Sequence, residues 1–109
     1  MIRLPTKTVS IGTTAINIYK STVGYAIDFL LQNLSANNIY FGDNSNLTTS
    51  NGTKILPSGY LAKDGWLGDI WVIADAASSD ARLVYQTKPL SIYVSETNQI
   101  VIRGTRQDP

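Results

Sequence analysis

The segment Thr14–Lys20, TAINIYK, carries the pattern that decides the fold of this 109-residue chain. Successive side chains of a β-strand point to opposite faces. Ile16 and Ile18 would therefore share one face, and Asn17 and Tyr19 the other. Strict alternation with β-branched residues predicts a half-buried strand.

The same signal recurs along the whole chain. It predicts further strands at Thr8–Gly12, Tyr25–Leu34, Asn37–Asp43, Lys54–Ala62, Asp69–Asp75, Ala81–Thr87, Leu90–Ser95 and Gln99–Gly104. The apolar positions of Tyr25–Leu34 also fit two helical turns, but it lacks a helix N-cap and its neighbours are strands. About eight to nine short strands at regular spacing predict an all-β sandwich or barrel, with residues 1–109 forming a single domain.

Proline and glycine place the predicted turns. Pro57 confines its strand to a sheet edge or a bulge, because proline cannot donate a ladder hydrogen bond. Gly65 and Gly68 predict a turn over Ala62–Asp69. Glu96–Asn98 has the length of a hairpin connection between the last two strands.

The charge of the chain argues against a nucleic-acid partner. Charged residues make up 16% of the sequence and the net charge is +1, against about 25% charged residues in ordinary domains. Lys and Arg are scattered, so no basic patch would attract phosphates. No apolar run approaches the roughly 20 residues of a membrane-spanning helix, and the N-terminus lacks the apolar segment of a signal peptide. We expect no membrane partner.

The chemistry of catalysis is sparsely represented. The sequence contains neither histidine nor cysteine, which removes the usual general base and the thiolate nucleophile. Most acidic residues fall in predicted turns or at strand ends, where Asp caps the backbone. Asp28 is the exception, and we expect it on a polar face or paired with an Arg. We therefore expect no enzyme, no catalytic residues and no cofactor.

The longest predicted loop, Asp43–Thr53, is rich in Asn, Ser and Thr. Its first residues, DNSN, lack the Gly and the distant Glu of an EF-hand, so we expect no metal site. The loop offers short hydrogen-bonding side chains with little charge, and it could dock on another subunit without burying an unpaired charge. A solvent-facing receptor contact is equally compatible. Three glycosylation sequons, at Asn33, Asn46 and Asn51, are expected by chance in such a composition.

Aromatic residues provide the remaining candidates. Trp71 lies within an apolar strand and is expected in the core. Trp66, between two glycines, either covers the open end of the sandwich or stacks on a sugar. Tyr85 and Tyr93 lie on predicted strands, where they suit cross-strand packing or subunit contact.

The segment Ala26–Thr87 resembles a family of small phage virion proteins of the capsid decoration or head-fibre type. The matching residues, in order, are Gln32-Asn33-Leu34-Ser35, Ile39-Tyr40, Gly42, Thr49, Gly52, Ile55-Leu56-Pro57, Gly59 and Ile70-Trp71-Val72-Ile73-Ala74. Two features depart from that family: Ser58 stands between Pro57 and Gly59, and a hairpin, Leu90–Gly104, follows the usual end point.

The resemblance implies a jelly-roll-like β-sandwich that belongs to a virion. We expect a structural protein, specifically a capsid decoration (cement) protein on the capsid surface. It would form a homotrimer and bind the major capsid protein. The alternative is a fibre or spike domain that binds host-surface glycans through Trp66 and the loop. The residues predicted at an interface are Asn46, Leu47, Thr48, Trp66, Tyr85, Tyr93 and Ile100.

Overall fold

The computed structural model describes residues 5–90, 92–94 and 100–102, and within them the chain forms ten β-strands. In chain order these are β1 (Thr6–Ile11), β2 (Ile16–Tyr19), β3 (Tyr25–Asn33), β4 (Ile39–Gly42), β5 (Thr53–Ile55), β6 (Tyr60–Trp66), β7 (Ile70–Ala74), β8 (Ser79–Pro89), β9 (Ile92–Val94) and β10 (Ile100–Ile102). The described residues include no helix that is long and apolar enough to span a bilayer.

Eight of these strands form two four-stranded sheets. Sheet A has the order β1-β8-β3-β6 and sheet B the order β2-β7-β4-β5, and neighbouring strands run antiparallel. The chain is one long ribbon in which β1 pairs with β8, β2 with β7, β3 with β6 and β4 with β5. The ribbon winds so that β8 also pairs with β3, and β7 with β4. This is the arrangement of a jelly roll, and the predicted all-β sandwich is confirmed.

The core lies between the two sheets. Along β3 the side chains of Ile27, Phe29 and Leu31 are buried, and the residues between them lie on the outer face. They pack in one cluster with Ile39 and Phe41 of sheet B. This period of two is the one that a strand requires, which confirms the strand at Tyr25–Leu34 against the helical alternative.

A β-bulge changes the expected face of one aromatic residue. The register of β2 against β7 shifts between Asn17 and Tyr19. Because a bulge adds one unpaired residue, side chains after it swap faces. Tyr19 is therefore buried, with its ring centroid 5.4 Å from that of Tyr85, and the expectation that it shares the face of Asn17 is wrong.

The predicted strand at Lys54–Ala62 is two strands in different sheets. β5 belongs to sheet B and β6 to sheet A. Between them Ser58 adopts a positive φ of 66°, and the Gly59 N–H donates to the carbonyl of Leu56 at 2.8 Å. This tight turn redirects the chain from one layer to the other, which hydrophobic alternation alone does not reveal.

The predicted turn at Ala62–Asp69 is wrong over its first half, because β6 continues to Trp66. Gly65 has a φ of 65° and lies where the register between β3 and β6 shifts. A glycine that signals a turn in the sequence here forms a bulge inside an edge strand.

The predicted C-terminal hairpin is present as a separate pair of strands. β9 and β10 run antiparallel, with Tyr93 opposite Val101. In the described part of the chain this pair is hydrogen-bonded to neither sheet A nor sheet B. The side chains of Tyr93 and Ile100 lie outside the described residues, so their predicted interface role stays a prediction.

Candidate functional site: the central loop and the outer faces

The loop that joins β4 to β5, residues 43–52, lies in the middle of the chain, where the ribbon turns back on itself. We call it the central loop. Its one aliphatic side chain, Leu47, is 6% exposed and packs with Tyr40 and Ile73 on the outer face of sheet B. Trp71 packs partly buried against this cluster, so its predicted place in the main core is wrong. The central loop thus folds back over its own sheet, and Leu47 anchors it.

Two glycines make room for the anchor. A Cβ atom at Gly42 would lie 2.8 Å from Leu47 Cδ1. A Cβ atom at Gly52 would lie 2.6 Å from Leu47 Cδ1 and 2.8 Å from Tyr40 Cβ. Real Cβ atoms do not approach other carbons so closely. Gly52 faces the Cβ of Tyr40, which cannot swing away, so this position requires glycine, whereas a side chain at Gly42 would force Leu47 to shift.

We expect Gly52→Ala to destabilise the protein by about 1–3 kcal/mol, as overpacking does elsewhere. The added methyl group must push Leu47 away from Tyr40 and loosen the central loop. Chemical denaturation measures the change. Gly12→Ala is the matched control, because a Cβ there has no atom within 4 Å. Equal stability of the two variants would contradict the anchored loop.

The Asn, Ser and Thr residues of the central loop mostly satisfy its own backbone. Asn44 Oδ1 accepts from the Asn46 N–H at 2.8 Å, and Asn51 Oδ1 accepts from the Thr48 N–H at 2.8 Å. Asn51 Nδ2 donates to the Asn46 carbonyl at 3.0 Å, and the Thr48 hydroxyl accepts from the N–H of Ser50 at 3.1 Å. Such side chains replace the ladder that a loop lacks. The Asn and Thr residues therefore stabilise the conformation of the central loop.

The surface of the central loop offers hydrogen bonds. Asn46 and Thr48 are exposed, which leaves both available for the predicted interface, whereas the buried Leu47 has little side-chain surface left to offer. A cavity of about 430 Å³ is lined by Thr13, Tyr40, Thr48, Thr49, Ile73, Ala74 and Asp75. Its one carboxylate, Asp75, accepts a hydrogen bond from Asn38 Nδ2 at 3.0 Å. The lining holds no second acid and no nucleophile–base pair.

The start of the central loop holds one acid, Asp43. Asp43 Oδ1 accepts from Asn44 Nδ2 at 2.8 Å, so this acid is bonded inside the loop. Among the described residues no three acidic, histidine or cysteine side chains group together.

Trp66 and Tyr85 border the main core. The Trp66 ring packs edge-on against Phe41 at 5.3 Å and Phe29 at 6.2 Å between centroids. Its indole N–H donates to the Asp69 carbonyl at 3.1 Å. Trp66 therefore packs over the sandwich interior while remaining partly exposed, and its stacking on a sugar stays a prediction. Tyr85 is likewise half-buried against the core.

Two carboxylates fix neighbouring elements to each other. Asp28 lies on the outer face of sheet A, where its carboxylate accepts from the Gly65 N–H at 2.9 Å and pairs with Lys88 Nζ at 3.0 Å. The polar face expected for it is confirmed, with Lys instead of Arg as the partner. Asp69 accepts from the Ser21 N–H at 2.7 Å and lies 3.8 Å from Lys20 Nζ.

Both carboxyl groups have a pKa below the ordinary value. The hydrogen bond from Gly65 and then Lys88 lower the pKa of Asp28. The hydrogen bonds from Ser21 are the main cause that lowers the pKa of Asp69. A lowered pKa means that the folded protein binds the proton more weakly than the unfolded chain, so acid favours unfolding.

We expect the free energy of unfolding to be steady above about pH 5 and to fall on acidification through about pH 4, the ordinary range for Asp. The contribution of Asp28 and Asp69 is present above that value and is lost as the pH falls through their lowered pKa values. Urea denaturation across this range tests the slope. The double variant Asp28→Asn, Asp69→Asn should lose less stability on acidification. Asp64→Asn is the control, because Asp64 is exposed and forms no ion pair in the described part of the chain. An unchanged slope in the double variant would contradict the assignment.

Sequence reasoning missed a polar cluster at the opposite end of the sandwich. Asn33 is 1% exposed, and its Nδ2 donates to the carbonyls of Asn37 at 2.7 Å and Ile55 at 2.9 Å. Its Oδ1 accepts from the N–H of Ser35 at 2.9 Å and from its hydroxyl at 2.7 Å. Ser79, also buried, accepts from Asn37 Nδ2 at 3.0 Å. The sequon at Asn33 is thus closed by the fold, whereas Asn46 and Asn51 are exposed.

Three loops at this end, β3–β4, β5–β6 and β7–β8, share this Asn33 cluster. The Asn33 N–H donates to the Gly59 carbonyl, and the Asn33 carbonyl accepts from Ser58. The only sequence signal for it was an Asn that ends an apolar strand.

Comparisons with protein-family models, with curated proteins and with solved structures gave no match to this chain.

Proposed function

We propose that this chain is a structural protein of a phage virion, and specifically a capsid decoration protein. It associates as a homotrimer on the capsid surface and binds the major capsid protein. The observation that carries the proposal is the β9–β10 hairpin. In the described residues it pairs with neither sheet of the sandwich, and its strands read IYV and IVI. A two-stranded hairpin alone is at best marginally stable in water, so such an apolar pair calls for a partner surface.

The edges of the sandwich support association through the hairpin instead of through edge pairing. β6 carries Lys63 and Asp64 beside the bulge at Gly65, β2 contains a bulge, and β5 has only 3 residues. Charges, bulges and short strands protect a sheet from pairing with another chain. Three of the four edge strands are therefore poor sites for assembly.

The remaining support comes from the resemblance of Ala26–Thr87 to small virion proteins and from the sparse charge of the chain. A decoration protein acts by mass action, because a ligand that binds only the assembled shell stabilises it. Symmetry then adds avidity, since three weak contacts engaged together exceed one. A loop with a single charged residue, such as the central loop, fits this role, because little charge loses its water on docking.

The role of the hairpin in trimer formation is tested by the Tyr93→Asp variant. This substitution would bury an unpaired charge in the proposed trimer contact. We expect sedimentation to show a trimer for the wild type and a monomer for this variant. Tyr60→Asp is the matched control, because Tyr60 is 69% exposed on the sandwich surface. A folded Tyr93→Asp variant that remains trimeric would overturn the assembly part of the proposal.

The virion is tested by incubating the protein with undecorated heads of the phage that encodes it. We expect the wild type to sediment with the heads in numbers comparable to the capsid subunits, and the heads to resist heating better. A few copies per particle would favour the alternative, a fibre or spike domain. No association with any part of the virion would overturn the proposal.

A further inference from the structure

The outer face of sheet A carries a straight row of four side chains across all four strands. The register places Thr8 opposite Arg82, Arg82 opposite Gln32 and Gln32 opposite Tyr60. Each of these residues lies beside one that packs in or against the core, namely Val9, Leu83, Leu31 and Leu61, so all four side chains point away from the core. Neighbouring strands lie about 4.8 Å apart, so Arg82 and Tyr60, two strands apart, are separated by about 10 Å.

In the described part of the chain, no hydrogen bond or ion pair reaches the side chains of Arg82 and Gln32. Arg82 Nε is shielded from water and makes no hydrogen bond, and the described residues include no ion pair to Arg82. Asp80, the nearest acid on the same face by sequence, does not reach it. The side-chain amide of Gln32 has no hydrogen-bond partner among the described residues, and Tyr60 is 69% exposed.

The Nε–H of Arg82 is costly where it lies, because it has lost water without gaining an acceptor. By contrast, the buried side chain of Asn33, on the same sheet, has both its amide nitrogen and its amide oxygen hydrogen-bonded. The row is therefore built differently from the polar groups that hold the fold. Unpaired polar groups beside an exposed aromatic ring are typical of a binding surface.

An apolar strip lies directly beside the row. Thr6, Val84, Leu30 and Ala62 form the next row on the same face, and Val84 and Leu30 are half-buried. A ligand on this face would meet carbon on one side, and an amide and a guanidinium on the other. A sugar ring has this character, because its C–H face packs on apolar and aromatic surface while its hydroxyls need donors and acceptors.

We infer that this face of sheet A binds an acidic oligosaccharide. One ring stacks on Tyr60, the hydroxyls of the next sugar bond to Gln32, and a uronic or sialic carboxylate pairs with Arg82. The planar fork of Arg matches a carboxylate with two parallel hydrogen bonds. The separation of Arg82 from Tyr60 suits two linked sugar rings. This site is distinct from Trp66 and the central loop, and it does not depend on the proposed virion role.

The inference is tested with an immobilised panel of uronic-acid, sialylated and neutral oligosaccharides. A titration with the best binder, followed on the amide NMR signals of the protein, then locates the site. We expect binding of carboxylated members and amide shifts at Gln32 and Tyr60. Tyr60→Ala and Arg82→Gln should each weaken binding at least tenfold, and Arg82→Lys should weaken it less than Arg82→Gln. Tyr25→Ala is the control, an exposed aromatic residue outside the row.

Each other outcome overturns a stated part. No binding across the panel, or equal affinity of Tyr60→Ala and wild type, overturns the site. Equal binding of neutral and acidic sugars overturns the carboxylate contact at Arg82. A protein captured through this face in place of sugar overturns the ligand class. Circular dichroism and sedimentation of Tyr60→Ala should match the wild type, which separates failure of the site from failure of folding or of the proposed trimer.

Discussion

Asn33→Leu is expected to lose about 3–5 kcal/mol of the free energy of unfolding, a large share of the roughly 5–15 kcal/mol of a typical domain. Leucine fills a similar space but cannot donate to the carbonyls of Asn37 and Ile55 or accept from Ser35. Each buried polar group left without a partner costs about 1–3 kcal/mol. The β3–β4 loop and the end of β5 lose their shared bonds at once.

Asn33→Asp separates hydrogen bonding from shape. Aspartate keeps the size and the acceptor for Ser35 but loses both donors and buries a charge, so we expect a loss at neutral pH at least as large. Asn38→Ala is the control, because Asn38 donates only to Asp75 at an exposed site, and its loss should stay below about 1 kcal/mol. Chemical denaturation measures the free energy of unfolding of the three variants. If Asn33→Leu and Asn38→Ala were equally stable, the Asn33 cluster would not hold this end together.

Phe41→Ala is expected to cost about 3–5 kcal/mol, the usual loss for a buried phenylalanine. Phe41 is 6% exposed, and its ring links the two sheets through Phe29, at 5.8 Å, and Trp66, at 5.3 Å between centroids. Removing it leaves a cavity under Trp66 as well as lost contacts. Denaturation measures the cost, and a red shift of tryptophan fluorescence would report water entering beside Trp66.

Phe41→Leu should recover a substantial part of that loss, because it refills most of the cavity. Val23→Ala is the control: Val23 is 99% exposed, and its truncation should change stability by less than about 0.5 kcal/mol. A loss of under 1 kcal/mol for Phe41→Ala would contradict its place between the sheets.

The strands of this protein could be predicted from sequence because alternation is a local property. The alternation of Ile27, Phe29 and Leu31 predicts β3 even when the strands that pair with it are unknown. The pairing order, β1 with β8 and β3 with both β8 and β6, depends on contacts between distant segments, so periodicity does not contain it. For the same reason the row from Thr8 to Tyr60 is invisible until the register is known.

The candidate sites show the same division. Asn46 and Thr48 are exposed as a polar loop predicts, but Leu47 serves as an anchor, because a lone aliphatic side chain in a polar loop gains more from its own sheet than from solvent. Trp66 looked like a turn residue because two glycines flank it, whereas one of them forms a bulge that keeps β6 in the sheet. Asn33 could not be recognised because a polar residue at a strand end usually caps a turn.

The pairing of β1 with β8 also sets the order in which the chain can fold. The register places Thr6 opposite Val84. β1 therefore cannot pair until β8, the last strand of the sandwich, is available. β4 and β5 are close in sequence and can meet early, whereas each outer pair must close a longer loop at a higher entropic cost. Topologies of this kind fold slowly, on the millisecond-to-second scale. During synthesis, sheet A stays incomplete until β8 has left the ribosome, with the apolar faces of β1 and β3 exposed. We therefore expect the nascent chain to bind chaperones, even though the finished sandwich protects three of its four edge strands.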